Sequence, residues 1–140
     1  MFSMGVVGYS TNGFDEDEAI LLLASAFDMF TQGTSDVEIV SGLTDLGIPS
    51  LAYYIAKHRS YKTIGIACKK AFEYDLFPVD EQIIVGDEWG DESKTFLNRI
   101  DVLIRVGGGK QSLKEVEMFK NMSGFSPEKL VEFELELEEE

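Results

Sequence analysis

From Val102 to Phe119 the chain reads VLIRVGGGKQSLKEVEMF, and this stretch restricts the fold more than any other. Val102–Val106 is a short, mostly β-branched run, the mark of a strand buried on both faces. Gly107, Gly108 and Gly109 follow at once, and then Leu113, Val116 and Phe119 recur at helical spacing with charges between them. The order is strand, glycine turn, helix. Glycines let backbone approach a ligand without a Cβ in the way. A helix start aims unpaired N–H groups and a positive dipole end at the same place, which suits phosphate or another anion. Ser112 and Glu115 also fit the S-x-x-E capping box, a structural alternative for the same residues.

The rest of the chain alternates in the same way. Strands are expected at Met4–Tyr9, Val37–Val40, Thr63–Ala67 and Gln82–Val85. Helices are expected at Asp15–Phe30, at Ser50–His58 behind Pro49, at Glu92–Ile100 behind a capping Asp91, and at Ser112–Met122. Lys69–Phe77 reads as a short helix or turn. Leu130–Glu138 alternates strictly, with Val131, Phe133, Leu135 and Leu137 on one face and glutamates on the other. That period describes a strand with one wet face, and repeated glutamate suits a sheet edge. Together these predict an α/β, Rossmann-like, three-layer α/β/α domain spanning residues 1–140. Its sheet is mainly parallel, with an acidic edge strand at the C-terminus.

Ligands of such sheets sit at the carboxyl ends of the strands. Three loops there are rich in small residues, and one shared pocket is expected from them. The candidate ligand-binding residues are Gly8, Ser10 and Thr11 in the first loop and Ser41 and Gly42 in the second. The third contributes Gly107, Gly108, Gly109, Lys110, Gln111 and Ser112. Lys110 would meet a phosphate as a point charge, or lie solvated. Asp87–Glu92 reads as an acidic turn with a helix cap, or as a Mg²⁺ site beside a ligand phosphate. Trp89, the one tryptophan, would stack on a base or serve packing. Tyr9 would touch a ligand or join the core, and His58 suits a helix end.

The net charge of −14 argues against a nucleic acid polymer as partner. No run of eighteen apolar residues is present, and the first ten residues lack a basic stretch, so neither a membrane span nor a signal peptide is expected. A single cysteine, Cys68, allows no internal disulfide and fits a reducing cytoplasm.

The glycine stretch resembles the signature of the SLOG superfamily of Rossmann-like proteins, P-G-G-x-G-T-x-x-E after a strand. That superfamily includes the LOG ("lonely guy"), DNA-processing-A and molybdenum-cofactor-carrier-like branches. Gly108, Gly109, Ser112 and Glu115 match; Gly107 stands for the proline, and Gln111 replaces the last glycine. Residues 6–10 (VVGYS) and 39–56 (IVSGLTDLGIPSLAYYIA) resemble the first two strand–turn segments. Asn98-Arg99 before Asp101 is similar to a stretch of the carrier-like branch with Arg and Asn exchanged. LOG enzymes cleave the N-glycosidic bond of a cytokinin nucleoside 5′-monophosphate with an arginine and the signature glutamate. The resemblance therefore implies Glu115 as a catalytic residue, with Lys94 or Arg99 as the cation. It also implies a homodimer or larger homo-oligomer.

Three expectations follow. The first is a module that binds a nucleotide or nucleotide-derived small molecule, as sensor, carrier or sequestering protein. The second is a phosphoribohydrolase. The third is a non-catalytic structural or interaction subunit. No cofactor is required in any of them; Mg²⁺ would enter only with a phosphate ligand.

Overall fold

Six strands form one parallel sheet: β1 (Phe2–Gly8), β2 (Val37–Ser41), β3 (Lys62–Ala67), β4 (Glu81–Ile84), β5 (Val102–Val106) and β6 (Leu130–Phe133). Their order is β4-β3-β2-β1-β5-β6, in a computed structural model that describes residues 1–138. The chain steps outward from β1 to β4, then returns to place β5 on the other side of β1. Strand order therefore reverses between β1 and β5, which opens a crevice above their carboxyl ends.

Alternate residues of each strand feed two cores. Val6, Ile39 and Ile104 pack with Leu23 and Phe27 of α1 (Glu16–Thr31) and with Ile48 and Tyr53 of α2 (Gly47–His58). Their neighbours Val7, Val40 and Leu103 pack with Phe96 and Leu97 of α3 (Ser93–Arg99) and with Val116 and Phe119 of α4 (Lys110–Lys120). The result is the three-layer, Rossmann-like α/β fold that the alternation of elements predicts. Among the described residues no helix is long and apolar enough to cross a membrane.

Several boundaries move, each for a local reason. Asp15 caps α1, its carboxylate accepting from the Glu18 N–H at 3.1 Å. α2 starts three residues early because Gly47 (φ +67°) lies against the Tyr9 carbonyl, where a Cβ has no room. There the Ile48 N–H donates to Tyr9 O at 2.8 Å. The Lys69–Phe77 region holds a short 3-10 turn at Lys69–Glu73. Asp91 does not cap α3; its carboxylate accepts from the N–H groups of Asp87 and Glu88 instead. α4 begins at Lys110, so Ser112 sits inside the helix rather than at its cap.

The acidic strand lies at the sheet edge but stops at Phe133. Its partner β5 ends at Val106, and the last rung is the Gly107 N–H donating to Phe133 O. Beyond it the chain crosses toward β1. Leu135 is buried, the Tyr9 hydroxyl donates to Leu135 O, and the Glu138 N–H donates to Gly13 O. The glutamates of this edge also have an internal partner, since buried Arg105 bridges Glu132 and Glu134.

Candidate functional site

A cavity of about 430 Å³ opens where the sheet predicts it, above the carboxyl ends of β1, β2 and β3 and beside the start of α4. Its volume lies within the range of small-molecule sites. Gly8, Ser10 and Thr11 line it after β1, and Ser41 and Gly42 after β2. Gly109, Lys110, Gln111, Ser112 and Glu115 line it from α4. The three loops singled out in the sequence therefore do converge.

Gly107 and Gly108 do not line the cavity. Both have positive φ, +60° and +111°. A Cβ on Gly107 would strike the Tyr9 ring, and one on Gly108 would lie 2.7 Å from Ser112 Cβ and Oγ. These two glycines let the turn pack tightly against β1. Of the three glycines only Gly109 lines the cavity, and open space lies around its Cβ position.

The hydroxyls on the floor serve the scaffold. Ser112 Oγ donates to Gly8 O at 3.0 Å and Ser41 Oγ donates to Val6 O at 2.7 Å, so the capping box is not formed. Gly109 stands at the N-cap position of α4 and offers no side chain to cap the helix end. The N–H groups of its first turn thus remain directed at the cavity. The start of α2 is different. Its Gly47 N–H is taken by Asn12 Oδ1, its Ile48 N–H by Tyr9 O, and Pro49 has none.

Two carboxyl groups line the same cavity. Glu92 is buried, and its Oε1 accepts from the Gly90 N–H at 2.7 Å. Glu115 is 7% exposed and accepts from Ser93 Oγ at 2.9 Å. Burial pushes the Glu115 pKa up. The hydrogen bonds from Ser93 and Gln111 lower it and the nearby Glu92 charge raises it, leaving it at about 7. Near neutral pH this group gives or takes a proton readily.

The structure does not bring the two expected cations to Glu115. Lys94 is exposed on the first turn of α3 and does not line the cavity. Arg99 ends α3 at the opposite, amino-terminal end of the strands, clamped on Glu38 by hydrogen bonds of 2.8 and 3.1 Å. Among the described residues no arginine lines the cavity; Lys110 is its cation.

The sequence left Trp89 between stacking on a base and packing, and did not single out Tyr74. Both line the cavity, with ring centroids 6.2 Å apart and planes at 58°. The acidic turn that carries Trp89 is tied down within the protein, with two of its four carboxylates paired to lysines. Asp87 pairs with Lys69, Glu88 with Lys70, and Asp91 accepts from the turn's own backbone. Among the described residues no three acidic, histidine or cysteine side chains converge as metal ligands. The tryptophan and its acidic flank were visible in the sequence. The pairing with a tyrosine fifteen residues earlier was not.

The chain matches no family model and no curated protein. Its fold is similar to the crystal structure of TM1055, a structural-genomics target, with a TM-score of 0.66 and 18% identity over 85% of this chain and 68% of that one. It is similar to the molybdenum cofactor carrier protein of Chlamydomonas reinhardtii, with a TM-score of 0.67 and 21% identity over 84% of this chain and 70% of that one. At such identities the likeness is one of fold.

Proposed function

We propose that this protein binds a nucleotide or a nucleotide-derived small molecule, with the phosphate seated at the start of α4. The observation that carries this reading is the open helix end. Gly109 leaves it uncapped, and it faces a cavity that also holds Lys110. The SLOG-like signature at Gly107–Glu115 and the fold likeness to a cofactor carrier support a binding or carrying role. A homodimer or larger homo-oligomer belongs to the same reading and is checked by light scattering on the purified chain. Mass spectrometry of a nucleotide panel incubated with the protein tests the binding. Retention of an intact compound is expected; no retention at high micromolar concentration would remove the reading.

A second reading rests on Glu115. A buried carboxyl that titrates near pH 7 within a cavity suits general acid–base work, such as cleavage of an N-glycosidic bond. Against it stands the absence of a cavity arginine among the described residues. Release of free base and ribose 5-phosphate, abolished in Glu115→Gln with binding retained, would establish it.

A further inference from the structure

The cavity has two walls of different chemistry. One is the start of α4, which follows β5. The other is Tyr74, which follows β3, and Trp89, which follows β4. In the sheet, β5 and β3 are separated by β1 and β2. Both walls face one cavity, and the segment that follows Trp89 reaches α4, where Ser93 Oγ donates to Glu115. A ligand that carries both a phosphate and a ring system has a group for each wall.

The aromatic wall is built and braced. Tyr74 is 51% exposed and Trp89 45%, so both rings stand half open to solvent beside the cavity. They sit on separate segments that are tied together. The Lys69 N–H donates to Gly86 O at 3.0 Å, Lys69 Nζ lies 3.1 Å from Asp87, and Lys70 Nζ lies 2.6 Å from Glu88. Gly86 adopts φ +78° and Asp91 closes the turn from inside, which fixes where Trp89 stands. Each of these bonds is weak alone, but together they hold the ring spacing. A platform fixed in advance loses less freedom when a ring lands on it.

We propose that Tyr74 and Trp89 form the ring-recognition half of the site, stacking a planar heteroaromatic ring of nucleobase size whose phosphate sits at the start of α4. This rests on the nucleotide-binding reading above and adds to it the part of the ligand that gives selectivity. Stacking on an aromatic face tolerates different bases, so the pair selects for a flat ring rather than for one base.

Trp89 is the single tryptophan of the chain, so its emission reports on this wall alone. AMP, GMP and ribose 5-phosphate are titrated into the full chain, followed by calorimetry and by tryptophan fluorescence. The two mononucleotides are expected to bind roughly tenfold or more tighter than ribose 5-phosphate and to change the emission. Trp89→Ala is expected to remove roughly a factor of ten from mononucleotide affinity and leave ribose 5-phosphate binding unchanged; Trp89→Phe keeps most of it. Lys110→Ala is expected to weaken all three probes. Equal affinity for ribose 5-phosphate and the mononucleotides, or no loss in Trp89→Ala and Tyr74→Ala, overturns the ring platform while the phosphate seat stands. No heat and no emission change with any probe overturns both.

Discussion

Each end of the sheet buries a glutamate, and the two are treated in opposite ways. Glu38, at the amino end of β2, is 4% exposed; Glu115, at the carboxyl end, is 7% exposed. Burial raises the pKa of both. At Glu38, hydrogen bonds from Arg99 and Ser3 and the Arg99 charge outweigh that rise and hold the group below its ordinary value. At Glu115 the hydrogen-bond donors are neutral and the nearest charge is another carboxyl, so the pKa stands at about 7. A buried acid that meets a bidentate guanidinium becomes part of the scaffold. One left without a cation, beside a cavity, keeps a proton available. The same comparison explains why Arg99 is no partner for Glu115: Glu38 holds it at the far end.

Breaking the closed end should have the largest effect. Arg99→Met strands the Glu38 carboxylate and is expected to cost about 3–5 kcal/mol in urea unfolding. Glu38→Gln combined with Arg99→Met should recover more than half of it. A loss below about 1 kcal/mol would mean that the pair is an ordinary surface contact.

The open end should show itself in pH dependence. Glu115 has its folded pKa raised from 4.5 to about 7. Its contribution to stability is therefore fully present below 4.5 and is lost as pH rises through about 7. Glu38, with a depressed pKa, acts in the other direction: its contribution is present above its ordinary value and lost as pH falls through the folded pKa. Glu115→Gln should remove the loss between these limits. At pH 8 the variant should be more stable than the parent by about 3 kcal/mol, with the gap closing toward pH 4.5. Parallel stability–pH curves for the two proteins would contradict the contrast.

Two further variants sharpen the open end. Gly108→Ala puts a Cβ against Ser112 at φ +111° and is expected to cost about 2 kcal/mol, with weaker binding of ribose 5-phosphate because α4 is displaced. Thermal unfolding and calorimetry read the two effects. Tyr9→Phe removes the donor to Leu135 O and is expected to cost about 1 kcal/mol. Faster hydrogen exchange of the Glu138 amide, which donates to Gly13 O, would show the tail loosening.

Much of the fold was legible in residue order. The VLIRV and VEIV runs form β5 and β2, strands buried along their whole length, and the spacing of Leu23 and Phe27 places α1 on the sheet. The gathering of Gly8–Thr11, Ser41–Gly42 and Gly109–Ser112 at one rim follows from parallel strands, whose carboxyl ends all lie on one side. What misled was local chemistry with a distant competitor. Ser112 fits a capping box in sequence, yet Gly8 O lies within reach of its hydroxyl. Gly107 and Gly108 fit a ligand cradle, yet Tyr9 and Ser112 occupy the space beside them. Arg99 lies sixteen residues before Glu115, yet α3 carries it to the other end of the sheet.

The sequence by itself determined the alternation of strands and helices, the parallel sheet and the rim where a ligand would sit. Those depend on periodicity and on the glycines that end strands, which are properties of neighbouring residues. Only the tertiary structure decided which glutamate keeps a cation, which glycine faces the cavity, and that Tyr74 and Trp89 stand together. Those depend on pairs separated by tens of residues, whose meeting is set by strand order and packing rather than by any local pattern.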